Sequence, residues 1–180
     1  MDYFGKYFNE EGFDFSSLIN DDFFQPVRIL FNNNHYVSAV KLLLVAIDSL
    51  SYIEYDDIKE NTFIKWLNKY SDIGKLEITS EELWEHRNSL LHMSNLDSRK
   101  VKLGHHRRLI AYVGELPKEV NLANEETGYY EIYQLILVVG HACGEWLRTY
   151  DENRSKIDSF VERYDLIASD ARMLWIEKHE

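Results

Sequence analysis

The chain has 180 residues, 45% hydrophobic and 28% charged, with two prolines and no Ser/Gly-rich linker, which reads as one domain with enough apolar material for one core. A net charge of −11 excludes a protein that coats nucleic acid through bulk electrostatics, and the single cysteine, Cys143, excludes an internal disulfide framework. The first residues lack the basic-then-apolar pattern of a signal peptide, so a reducing cytoplasm is the expected location. The longest apolar runs, Leu42–Ile47 and Leu135–Val139, fall short of the roughly 18–20 residues of a membrane span.

In chain order, residues 1–31 carry nine aromatics, among them Tyr3, Phe4, Tyr7, Phe8, Phe13, Phe15, Phe23 and Phe24. So many rings are expected to pack on the domain or on a second subunit. Residues 1–33 therefore read as an aromatic-rich N-terminal arm with a short helix around Phe23–Phe31, and residues 34–180 as a helical domain. His35–Tyr55 is a long helix, apolar all round at Leu42–Ile47 and hence central. Asp48 follows that run directly; a carboxylate there needs a partner, either as a structural acceptor or to orient another side chain. Ile58–Tyr70 reads as the next helix, then a loop over Ser71–Thr79.

Thr79 and Glu82 have capping-box spacing, so a helix starts there and runs to about Met93. Asn95–Gly104 reads as irregular. Arg107–Val113, bracketed by Gly104 and Gly114, is the best strand, with Lys100–Leu103 as its expected hairpin partner. Two helices close the chain, about Tyr129–Tyr150 and Ser155–Glu177, each with apolar residues at three- and four-residue steps. The fold class expected is mostly α, an antiparallel helical bundle with a small β-hairpin after the capped helix.

The charge is unevenly distributed. Residues 85–108 hold six Lys/Arg, two acids and four of the seven histidines, so this window carries +4 and the remainder −15. The island surrounds Arg87, Asn88 and His92. A guanidinium, an amide and an imidazole so close together suit work on a phosphate: imidazole moves a proton near neutral pH, guanidinium holds and stabilises anionic oxygens, and an amide orients either. The same residues also fit an exposed helix end whose Arg and His merely solvate it, and the charge run fits a solvated face. On an ideal helix Asn88 and His92 share a face with Trp84, whereas Arg87 and His92 diverge by about 140°. They converge if the helix frays near His92, if the long Arg side chain wraps, or if a second copy supplies the other half.

Competing constellations are missing from the sequence: there is no Walker loop, dinucleotide fingerprint, Gly-x-Ser-x-Gly or His-Glu-x-x-His. Glu82 and His86 are spaced to share a helix face, but two ligands do not make a metal site. Cys143 sits on an apolar stripe and reads as a packed thiol.

The segment Glu82-Leu-Trp-Glu-His-Arg87-Asn88-Ser-Leu-Leu-His92, preceded by a long helix with an acidic residue after an apolar run, Leu42–Asp48, and followed by two long helices, resembles the HEPN superfamily (higher eukaryotes and prokaryotes nucleotide-binding). The resemblance covers most of residues 34–177 at the level of a bundle, and its motif is short. It implies a metal-independent endoribonuclease without cofactor, working as a homodimer in which Arg–His motifs meet in one cleft. His92 would serve as acid/base in attack of the 2′-hydroxyl on phosphorus, Arg87 would stabilise the phosphorane, and Asn88 would position the pair. RNA is then the substrate, with Arg99, Lys100, Lys102, Arg107 and Arg108 as candidate backbone contacts. Many such proteins are toxins or anti-phage effectors, so an antitoxin or sensor would be a separate chain. Others are inactive nucleotide- or protein-binding modules, which stays open here, as does a plain helical interaction module that docks a partner through its aromatic arm.

Overall fold

The computed structural model describes residues 5–10, 12–55, 59–93, 97–120 and 125–168. The chain is mostly helical. Eight α-helical segments are described: α1 (Phe15–Ile19), α2 (Gln25–Asn32), α3 (Tyr36–Glu54), α4 (Thr62–Tyr70), α5 (Ser80–Asn88), α6 (Arg99–Lys102), α7 (Ile132–Glu152) and α8 (Lys156–Ala168). Two strands near the N-terminus, β1 (Phe8–Asn9) and β2 (Gly12–Phe13), pair antiparallel. Two more, β3 (Arg108–Tyr112) and β4 (Thr127–Glu131), pair parallel.

Helix starts follow the local chemistry. The Asp14 carboxylate accepts from Ser17 N at 2.9 Å and caps α1. Asn61 accepts from Ile64 N at 3.2 Å and starts α4 at Thr62, later than the expected Ile58. Glu131 accepts from Gln134 N at 2.7 Å and starts α7. Each bond satisfies an amide that the first turn leaves without a helical partner.

Helix α3 is the central element, packed by α2, α4, α7 and α8. Ala39, Val40, Leu43, Leu44, Ala46, Ile47, Leu50 and Ile53 are all buried along it. By length and composition α3 also passes for a membrane-crossing helix, with mean hydropathy 1.6 over 18 residues; half of that window is buried by the rest of the protein. The last residue of α3, Glu54, ties the far end together. It accepts from Tyr70 Oη at 2.7 Å, from Trp146 Nε1 at 2.9 Å, and pairs with Lys156 at 2.7 Å. Burial pushes this carboxyl upward, but these bonds outweigh it and hold Glu54 below the usual glutamate range.

The aromatic N-terminal residues that are described pack on their own chain. Phe15 lies 5.7 Å from Tyr150 and 4.9 Å from Phe160, ring to ring, and Phe23 lies 6.4 Å from Tyr164. Leu18, Ile19, Phe23, Phe24 and Val27 are buried in the same core as α3 and α7. Tyr164 Oη also donates to the Asp22 carboxylate. Tyr3 and Phe4 lie outside the described residues.

The expected hairpin is corrected. Strand β3 stands where expected, but Lys100–Leu103 is not its partner: Ser98 Oγ accepts from Val101 N at 3.3 Å and caps the helical turn α6 there. The partner is β4, in register Leu109 to Gly128 and Ala111 to Tyr130. The strands are parallel, and the long connection between them meets the need of such a pair for a crossover rather than a tight turn. Gly128 leaves room for its neighbours at the pairing: a Cβ there would come within 2.8 Å of Leu109 Cδ2 and 3.3 Å of Arg107 Cζ, so those side chains would have to shift. The expected closing helices are also trimmed. Tyr129–Glu131 are strand, not helix, and the second helix is described to Ala168, the rest of Ser155–Glu177 lying outside the described residues.

Candidate functional site

Helix α5 opens with a complete capping box. Thr79 Oγ1 accepts from Glu82 N at 3.1 Å, and Glu82 accepts from Thr79 N at 2.9 Å. One face of α5 is buried through Leu83, Glu85 and His86, which leaves Arg87 and Asn88 partly open. After Asn88 the α-helix does not continue. Ser89–Met93 form a π-helical turn. Ser89 Oγ donates to the carbonyl of Glu85 at 2.9 Å, a back-bond that competes with the regular ladder at that point.

That turn decides the geometry. A π turn bonds i to i+5 and takes nearly one residue more per turn than an α turn, so it narrows the angle between side chains five apart. Arg87 and His92 are five apart. Arg87 Nη1 lies 2.8 Å from His92 Nε2. The divergence expected from an ideal helix is thereby removed within one chain. Arg87 Nη1 also donates to Asn88 Oδ1 at 3.1 Å.

The other side of the guanidinium belongs to Asp48 of α3. Arg87 Nε donates to Asp48 Oδ2 at 2.7 Å, and Nη2 lies against the same oxygen. Trp84 lies under the guanidinium plane, with Cζ 5.0 Å from the ring centroid, and Phe63 backs Trp84 at 5.4 Å. Arg87 is thus held by carboxylate, amide, imidazole and aromatic face. Burial raises the Asp48 carboxyl above the usual aspartate range, against the pull of Arg87. Asp48 thus has the partner that a carboxylate beside the apolar run requires, the Arg87 guanidinium.

An Arg nitrogen donates and never accepts. In the Arg87–His92 bond the guanidinium is therefore the donor and the Nε2 lone pair the acceptor. That lone pair, beside a fixed cation, can take a proton from a hydroxyl bound between them.

The histidine next in sequence is different. His86 is buried, its Nε2 is 3.0 Å from Tyr130 Oη of β4, and its Nδ1 has no partner among the described residues. Burial drives its pKa down to about 4. His86 and Glu82 do not form a metal pair, since Glu82 is committed to the cap and to Arg107 and His86 to Tyr130. Among the described residues no group of three or more His, Cys, Asp or Glu could hold a metal ion.

The other five cations of the basic island stand in different situations. Arg107 Nε donates to Glu82 Oε1 at 2.6 Å and its Nη2 to Glu82 Oε2 at 2.9 Å. Arg108 forms a fork to Asp97 at 2.5 and 2.9 Å. Lys100 pairs with buried Glu85 at 3.1 Å. Glu82 and Glu85 precede Arg87 by five and two positions, about 140° and 160° around α5, so Lys100 and Arg107 anchor on its far side. Arg99 and Lys102 are exposed and, among the described residues, form no ion pair.

No protein-family model, curated protein or solved structure matches this chain.

Proposed function

We propose that the chain is a metal-independent endoribonuclease of the HEPN type, with a HEPN-like antiparallel bundle as its scaffold. The observation that carries this reading is the convergence of Arg87, Asn88 and His92 on one guanidinium-centred site held by Asp48. An RNA entering between Arg87 Nη1 and His92 Nε2 exchanges the bond between them for two bonds to substrate: a phosphate oxygen accepts from Arg87 Nη1, and the ribose 2′-hydroxyl donates to His92 Nε2. His92 Nε2 then accepts the proton of the ribose 2′-hydroxyl. The 2′-oxygen forms a bond to phosphorus, Arg87 stabilises the added negative charge, and the bond from phosphorus to the 5′-oxygen breaks. The leaving oxygen takes a proton from solvent or from a second acid, and the products are a 2′,3′-cyclic phosphate and a 5′-hydroxyl.

The partners in this reading are RNA as substrate, a second copy of the chain, and a separate antitoxin or sensor protein, with the cytoplasm as the compartment and toxicity or anti-phage defence as the role. The homodimer rests on the resemblance of the motif. Arg87 and His92 meet without a second copy, so the dimer serves to face two such sites across one cleft.

The test is purified protein with RNA in EDTA, wild type against His92→Ala. Metal-free cleavage that falls by about 10²-fold or more in the variant is the expected result for an acid/base residue. Cleavage that survives the substitution overturns the assignment. RNA binding without turnover in the wild type selects instead an inactive nucleotide-binding module on the same site.

A further inference from the structure

Helix α3 carries more than Asp48 on the side that meets Arg87. With about 100° per residue, Val37, Lys41, Val45 and Tyr52 all fall within roughly 60° of Asp48 on the helix wheel. Three of them are well exposed: Val37 at 64%, Val45 at 42% and Tyr52 at 39%. Tyr52 is one turn beyond Asp48, about 6 Å along the axis.

The aromatic rings near the site differ in availability. Trp84 already has the Arg87 guanidinium on one face and Phe63 against it. Tyr36, at the start of α3, packs on Phe31 at 5.3 Å and donates to Asn34 at 2.5 Å. Tyr55, just past its end, lies under Lys65 and Lys69 at 4.8 and 5.8 Å. Tyr52 has neither a ring neighbour nor a hydroxyl partner among the described residues. It is a partly exposed ring one helical turn from the carboxylate that holds Arg87.

We propose that the Tyr52 ring is the stacking platform for the nucleobase adjoining the phosphate held at Arg87. This rests on the reading that Arg87 binds an RNA phosphate. Stacking on an aromatic face is how single-stranded nucleic acid is held without dependence on base identity. The alternative occupant of this face, a second copy, fits it less well. Lys41 and Asp48 put a charge in two of the five positions of the stripe, whereas the core of a protein interface is depleted of charge.

The experiment compares the affinity of full-length protein for a 2′-O-methyl hexanucleotide, which cannot be cleaved, with its affinity for the same backbone lacking bases. Wild type, Tyr52→Phe and Tyr52→Leu are measured by fluorescence anisotropy, with the mass of the assembly by sedimentation and RNA cleavage in parallel. Wild type and Tyr52→Phe should lose about tenfold more affinity on removal of the bases than Tyr52→Leu does. An equal loss in all three overturns the platform, and if the wild type still cleaves RNA the ribonuclease reading survives alone. A base effect that depends on Tyr52 in a protein that does not cleave keeps the platform and removes the ribonuclease. Failure of the wild type to bind either oligomer overturns it, as does a change of oligomeric state in Tyr52→Leu with an unchanged base effect, which assigns the face to a second copy.

Discussion

Arg87 Nη1 sits 2.8 Å from His92 Nε2, five residues along the chain, because Ser89–Met93 wind as a π turn. The bond joins a fixed cation to the lone pair of an imidazole, so charge and base are placed together before any substrate arrives. Arg87→Lys keeps the charge and loses the planar fork that reaches Asp48, Asn88 and His92 together. Single-turnover RNA cleavage by this variant should fall by about 10²–10³-fold, the usual loss for one oxyanion-stabilising donor, while its circular dichroism stays that of the wild type. Cleavage within a few-fold of wild type removes the guanidinium geometry from the mechanism.

Asp48 and Arg87 form a half-buried pair, with side-chain exposures of 26% and 17%. Removing either partner leaves the other poorly solvated, which is worse than removing both. Asp48→Asn, Arg87→Met and the double variant, unfolded in urea, should show a coupling of about 1–3 kcal/mol, within the range for residues in one network. Additive effects mean that the pair contributes nothing specific to stability. Asp48→Asn should also lower cleavage, since Arg87 then keeps its neighbours Asn88 and His92 but loses the anchor that aims it.

Several of these relations were readable in the chain and several were not, for physical reasons. The capping box at Thr79 and Glu82 is local chemistry and is legible as such; so is α3, whose apolar run is unbroken. The meeting of Arg87 with His92 is not, because helical spacing assumes α geometry and the π turn depends on how Ser89 bonds back to Glu85. Asp48 was visible as a carboxylate in need of a partner, but that partner is 39 residues away. The parallel pairing of β3 was hidden because Tyr129 and Tyr130 continue the helical spacing of α7 backwards. What separates strand from helix there is the Glu131 cap. The basic island was a count along the chain, and a count does not register that Glu82, Glu85 and Asp97 each face one of its cations.

His86 gives the fold a pH dependence whose direction follows from its burial. Its pKa is about 4 in the folded chain, against 6.5 for an imidazole in water. Between those values the unfolded chain binds more protons, so unfolding free energy falls as pH drops. This contribution is complete above about pH 6.5 and is lost down to about pH 4, amounting to the order of 3 kcal/mol at about 1.36 kcal/mol per unit. Urea midpoints measured from pH 7.5 to 4.5 should drop more steeply in the wild type than in His86→Gln, which keeps a polar group toward Tyr130 and does not titrate. Parallel curves for the two proteins exclude His86 as the cause.

The cations of the island should separate into two kinds when substituted. Arg107 holds the buried Glu82 of the capping box with two bonds, so Arg107→Ala leaves a carboxylate short of partners at the start of the helix that carries Arg87. Its main effect should be on folding, a loss of about 1–3 kcal/mol in urea unfolding, the cost of a charged group deprived of its hydrogen bonds. Arg99 and Lys102 are exposed and meet no carboxylate among the described residues, so they are free to meet phosphate. Arg99→Gln with Lys102→Gln should leave the urea midpoint unchanged. It should weaken RNA binding and flatten the slope of log affinity against log salt by about 0.7 for each phosphate of a single strand that is no longer neutralised. An unchanged slope in that double variant places the RNA backbone elsewhere on the protein, and leaves α6 as a structural turn that carries Lys100 to Glu85.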